Sequence, residues 1–145
     1  MRLAARLLGV SEVINLQNVS VVRGGKSIID SLTFSVGPTE RWVVLGANGA
    51  GKTTLLKLAA AQIQPSSGSA TLLGQRLGEV NVFELRTRIG FASSALAAQI
   101  PNSETVLNAV MTASYGITGR WNEEYDSIDR ALTGGMIRRS KGIDR

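Results

Sequence analysis

The chain has 145 residues, 43% of them hydrophobic and 19% charged, which is room and apolar content for one packed domain. It contains no cysteine and no histidine, which excludes a disulfide framework, thiol catalysis and any histidine base, metal ligand or pH switch. The net charge of +5 is gathered partly in Arg138, Arg139, Lys141 and Arg145, which read as a solvated basic tail; nucleic acid is not an expected partner.

In chain order, Met1 to Val10 is apolar but short and interrupted by Arg6. It reads as an extension over residues 1–11 and not as an export signal. No apolar run approaches the roughly 20 residues of a membrane span. Val13 to Val22 is rich in β-branched residues and predicts a strand. Gly24-Gly25 predicts a turn, and Ile28 to Val36 a second strand. In that strand Leu32, Phe34 and Val36 alternate with Thr33 and Ser35, the period of a half-buried strand. Gly37-Pro38-Thr39-Glu40 predicts a turn, and Trp42-Val43-Val44-Leu45 a buried third strand, with Trp42 as core packing.

Gly46-Ala47-Asn48-Gly49-Ala50-Gly51-Lys52-Thr53-Thr54 then has the form G-x-x-x-x-G-K-[ST] of a phosphate-binding P-loop. The glycines let the backbone curl so that successive N–H groups face phosphate oxygens. Lys52 supplies a positive charge for the β- and γ-phosphates, and Thr53 a hydroxyl for magnesium. Leu55 to Ala61 predicts the helix whose positive end completes the cradle. Lys57, a turn further on, reads as a solvated lysine.

Gln64-Pro65-Ser66-Ser67-Gly68 breaks the chain, and Ser69 to Leu73 predicts a short strand. Asn81 to Thr87 predicts a short helical turn capped by Asn81, and Ile89-Gly90-Phe91-Ala92 another buried strand. A helix is expected from about Glu104 with Ser103 as N-cap, burying a face made of Val106, Ala109, Val110 and Ala113. Gly116 and Gly119 interrupt, and Asn122 to Leu132 could begin one more helix. Arg86 and Arg88 read as surface residues before phosphate ligands. Glu79, Glu84 and Glu104 show no partner in the sequence, and Trp121 reads equally as a partner contact or a partly buried anchor.

The loop together with Leu55-Leu56, the paired strands before it, Pro65-Ser66-Ser67-Gly68-Ser69-Ala70, Leu73-Gly74-Gln75, Leu85 to Gly90 and Thr105-Val106 through Gly116 resemble the ATP-binding cassette (ABC) ATPases over about residues 12 to 131. The resemblance implies an α/β P-loop NTPase fold of ABC type. It would hold an antiparallel β subdomain, a partial parallel core sheet and the start of a helical subdomain. The implied organisation is a nucleotide-binding core over 12–100, the helical start over 101–131 and a basic tail over 132–145. The resemblance further implies MgATP as ligand, held by Gly46, Asn48, Gly49, Ala50, Gly51, Lys52, Thr53 and Thr54. It implies a second cassette and a membrane permease as partners, and a cytoplasmic place at the inner face of the membrane.

Three departures qualify that picture. Arg23 stands where the family has an aromatic residue that stacks on adenine, and a guanidinium can stack there too. Ser94 stands where the family has the glutamine that meets magnesium and the attacking water. Leu132-Thr133-Gly134-Gly135-Met136 looks like a signature loop but follows Ser94 too soon, and reads as a glycine-containing helix end or tail. After the P-loop no run of four apolar residues ends in an acid, and no histidine exists to act as switch. The expectation is an ATP-binding subunit or fragment of an ABC-type ATPase that energises transport. The alternative is a truncated nucleotide-binding module without autonomous hydrolysis.

Overall fold

The computed structural model describes residues 11–114 and Thr133. The described residues fall into two compact units, one ending at Leu85 and the other beginning at Arg86. The expected N-terminal extension up to residue 10, the helix from Asn122, Trp121 and the basic tail lie outside the described residues. Of the signature-like segment only Thr133 is described, and it is buried.

The first unit is built on a four-stranded antiparallel sheet. Strands β1 (Ile14–Arg23), β2 (Lys26–Val36), β3 (Ser67–Leu72) and β4 (Gln75–Arg76) stand in the order β2-β1-β3-β4. The first two form the expected hairpin, closed by Gly24 and Gly25 at φ 55° and 74°. Positive φ at both central residues is the two-residue turn that follows the twist of the strands, and glycine adopts it without strain. Helix α1 (Lys52–Ala59) touches β2 and buries Leu58 completely.

Both hairpin strands carry a bulge that resets their inward phase. In β1 the buried residues are Leu16, then Val19 and Val21; a strict period of two would have put residue 18 inside. Asn18 absorbs the extra residue at φ 48°, and Ser31 does the same in β2 at φ 48°. Side-chain hydroxyls satisfy the displaced amides: Asn18 N–H donates to Thr33 Oγ1 at 3.1 Å, and Ser31 N–H to Ser20 Oγ at 2.9 Å. The core of the unit is then Leu16, Val19, Val21, Ala70 and Leu72 from the sheet, with Leu58 from the helix.

The Asn18 bulge decides what can stand on β3. Gly68, at φ 80°, lies so close that a Cβ there would sit 2.2 Å from the Asn18 carbonyl oxygen. This breaker residue of the sequence is thus part of the strand, and no side chain fits on it.

Beyond β4, α2 (Val82–Arg86) begins at Asn81, whose Oδ1 accepts from Phe83 N–H at 3.1 Å, as the capping pattern predicts. Glu79 pairs with Arg76 at 3.0 Å, and Glu84 accepts from Asn81 Nδ2, so two acids without visible partners in sequence have local ones. In the second unit, α3 (Ser94–Ala97) is capped by Ser93, and α4 spans Val106–Ser114.

Four expectations are corrected. Trp42-Val43-Val44-Leu45 is neither a strand nor buried: Trp42, Val43 and Leu45 are 58%, 80% and 85% exposed. Ile89 to Ala92 is also not a strand. An apolar run becomes a buried parallel strand only when neighbours supply its ladder, and among the described residues every strand pair is antiparallel. The partial parallel sheet therefore has no member among the described residues. The α4 cap is Thr105, whose hydroxyl accepts from Asn108 N–H at 3.2 Å, and not Ser103. Finally, the buried face of α4 centres on Met111 and Thr112, while Val106 and Ala113 are exposed. The covered side of the helix is the one that carries Asn108 and Thr112, polar residues that an apolar count passes over.

Gly68→Ala is expected to cost on the order of 3 kcal/mol, from the clash and the left-handed backbone together. Gly90→Ala, which would meet nothing within 4 Å, is expected to stay within about 0.5 kcal/mol of wild type. Denaturant melts of the two variants check this, and equal stabilities would refute the reading of the bulge.

Candidate functional site

The phosphate loop lies in the first unit, between the Gly37–Glu40 turn and α1. Helix α1 starts at Lys52 with Gly51 as N-cap, at φ 82° and with no side chain capping the helix. The first amide to find a helical acceptor is Leu55 N–H, which donates to Gly51 O at 2.9 Å. Among the described residues no acceptor reaches the N–H groups of Lys52, Thr53 or Thr54, and the first turn carries no acid. A helix start in this condition is an anion site: its donors point outward and its dipole is uncompensated.

Gly51 makes this geometry possible. A Cβ at this position would lie 2.7 Å from the Ile28 carbonyl oxygen of β2, so the loop presses backbone against backbone at its exit. Gly49 shares the left-handed conformation at φ 82°, and Ala50 N–H closes a turn on Ala47 O at 3.2 Å. Asn48, Gly49 and Ala50 are exposed along the rim.

Lys52 turns its ammonium back into the loop. Its Nζ donates to the carbonyl oxygens of Gly46 at 2.7 Å and Ala47 at 2.6 Å. Beside it is a cavity of about 310 Å³ with apolar walls from Ile28, Ile29 and Leu32 on one side and Val44 and Leu55 on the other; Asp30 and Lys52 are its charged lining. Of the expected nucleotide ligands, Gly46, Asn48, Gly49, Ala50, Gly51, Lys52, Thr53 and Thr54 are thus brought together by one loop and one helix start. Thr53 is exposed and Thr54 half-buried. Arg23 sits at the tip of the β1–β2 hairpin, exposed and opposite Lys26 in the register. Ser94 is the exposed first residue of α3 and belongs to the second unit.

One residue of the loop's entry was invisible in the sequence. Glu40 Oε2 accepts from Gly37 N–H at 2.9 Å and from Trp42 Nε1 at 3.0 Å. Trp42 meets Phe34 of β2 edge to face, with centroids 5.1 Å apart and planes at 85°. The indole is therefore a surface clasp and not the core packing expected of it. The Gly37 amide first, and the indole N–H second, hold the Glu40 carboxyl below its ordinary value of 4.5. An acid placed two residues before a tryptophan, at the end of a turn, is the signal that could have pointed to it.

The comparisons with known proteins agree with this geometry. A family model described as ABC transporter matches residues 29–141. An ABC transporter ATP-binding protein of Streptococcus mutans is 34% identical over 117 residues, covering 81% of this chain and 45% of the relative. The ABC transporter ATP-binding protein YmeB of Lactococcus lactis is 37% identical over 103 residues, covering 71% and 40%. The chain thus spans less than half the length of these two relatives. The dimeric post-hydrolysis state of the ATP-binding cassette MJ0796, bound to ADP and Pi, superposes with a TM-score of 0.67 over 88% of this chain and 57% of that one. At 15% identity that likeness speaks for the fold, which is the P-loop NTPase fold of a cassette.

Two outcomes are expected. Gly51→Ala forces the α1 start away from Ile28 and costs about 2 to 3 kcal/mol in a thermal or denaturant melt. A lowered carboxyl stabilises the fold above its ordinary value and loses that contribution as the pH falls through the lowered one. In a Trp121→Phe background the Trp42 emission should therefore change below pH 4.5, and Glu40→Gln should abolish that change. A titration that is identical in both proteins would contradict the clasp.

Proposed function

This chain belongs to the ABC transporter family, and on that premise we propose that it is the nucleotide-gripping part of an ATP-binding subunit that energises transport. One observation carries the reading: the α1 start offers three amides without acceptors beside the Lys52 ammonium, in a loop whose glycines admit no side chain at the exit. A triphosphate chain is the ligand that needs this combination of backbone donors and a point charge.

In the proposed complex the amides of Gly49 and of Gly51 to Thr54 and the Asn48 rim cradle the phosphates. Lys52 would leave its two carbonyls for the β- and γ-phosphates, and the Thr53 hydroxyl would be the group of this loop that holds magnesium. Arg23 lies flat on the base in place of an aromatic ring. Bound magnesium draws charge from the terminal phosphate; the chain's own part is to bind, orient and neutralise. Hydrolysis, a second cassette and a membrane permease as partners, and a cytoplasmic position at the membrane are proposed by analogy with the family. Among the described residues no helix is long and apolar enough to cross a membrane.

Isothermal titration with MgATP tests the reading. The wild-type chain should bind, Lys52→Ala should lose at least about tenfold in affinity, and Thr53→Ala should lose the enhancement by magnesium. No binding by the folded wild-type chain, or equal binding by Lys52→Ala, would sink the proposal.

A further inference from the structure

The phosphate loop is suspended from one strand at both ends. At its exit, Gly51 is pressed on the Ile28 carbonyl of β2. At its entry, Trp42 rests on Phe34 of the same strand. Between these points the chain has little else to fix it. Residues 41–47 form no helix or strand, and the backbone of Arg41 to Leu45 makes no hydrogen bond among the described residues. Val43 and Leu45 face solvent, and only Val44 is half-buried.

The entry anchor is held by one carboxylate. Glu40 closes the turn through its own N–H, which donates to Gly37 O at 3.2 Å, and through Oε2, which receives Gly37 N–H. The same oxygen receives the Trp42 indole N–H, so turn and ring are fixed relative to each other by a shared acceptor. Charge-assisted bonds of this kind are stronger than neutral ones, and here two donors share one oxygen. Lys52 draws the Gly46 and Ala47 carbonyls inward, so any drift at the entry is transmitted to the cradle itself.

We propose that Glu40 is a positioning residue for the nucleotide site: its carboxylate clasps Trp42 to the turn and so sets where the phosphate loop begins on β2. It touches no ligand and acts through Trp42 and the loop backbone. The proposal rests on the reading of the loop as a nucleotide site, and the test separates the two.

The full chain is compared with Glu40→Ala and Trp42→Phe, the latter keeping an aromatic ring and losing only the N–H donor. First, amide hydrogen exchange is followed without ligand at Glu40 and Ala50, whose N–H groups are bonded within the turn and the loop. Both variants should exchange faster there, with β1 and β3 unchanged. Second, MgATP affinity is measured at a temperature where circular dichroism shows every protein folded. Glu40→Ala should weaken binding about tenfold and Trp42→Phe about threefold, while Glu40→Gln, which keeps an acceptor oxygen, should recover most of the loss. A purely structural role would move the melting temperature and leave loop exchange and folded-state affinity alone. Unchanged exchange at Glu40 and Ala50 in Trp42→Phe overturns the clasp, whether or not ATP binds. Unchanged affinity with altered exchange overturns its link to the site. Failure of the wild-type chain to bind MgATP overturns the nucleotide reading and the positioning role with it.

Discussion

The site depends on the close approach of two backbones, at Gly51 and Ile28. A phosphate cradle needs amide groups that folding has left without acceptors, and it needs them aimed at one point. A helix start supplies such groups, but only where the chain enters it by a sharp left-handed turn. The Ile28 carbonyl occupies the space a Cβ would take at that turn. The same contact seats α1 on β2, so the element that presents the charge is also the element that covers the sheet. Glycine is needed at this position for two independent reasons, conformation and space.

What was legible in the sequence follows from what is local. The hairpin could be read because Leu32, Phe34 and Val36 alternate with polar residues and because Gly24-Gly25 adopts a tight turn without strain. The phosphate loop could be read because its residue types each answer a steric or electrostatic demand within nine positions. The bulges could not, since Asn18 and Ser31 are ordinary polar residues, and only the facing hydroxyls of Thr33 and Ser20 explain why they are tolerated. Trp42 to Leu45 and Ile89 to Ala92 failed for a deeper reason. Hydrophobicity records that a segment is suited to burial, whereas a ladder requires a partner strand, and the described residues provide none. The sequence shows Glu40 only as an acid two residues before a tryptophan at the end of a turn; that one of its oxygens serves two donors is a matter of geometry.

The two bulges also tie the sheet to its third strand. Each shifts the inward phase of its own strand, and together they keep the core faces of β1 and β2 in step: Leu16 opposite Phe34 before the shift, Val19 opposite Leu32 and Val21 opposite Ile29 after it. β3 accommodates the shift with Gly68 and then pairs Ser67 with Ser20, while Ser66 donates its N–H to Ser20 O and accepts Val22 N–H on its hydroxyl. A break that looks like a simple Pro-Ser-Ser-Gly linker is therefore shaped by events some fifty residues earlier in the chain. This is how a platform of short polar residues carries a loop whose position must be held.

The inward turn of Lys52 has a consequence for selectivity. With two carbonyl oxygens at 2.7 and 2.6 Å, the loop satisfies its own cation. An incoming ligand does not meet a bare charge; it enters an exchange in which dipoles are traded for full negative charges. A neutral or singly charged solute offers the ammonium little more than the carbonyls it would leave. A polyanion offers several oxygens at once, and it also repays the exposed amides of α1 that no carbonyl can reach. On the proposed reading, the loop would measure the charge density of what enters it before any base or sugar is read.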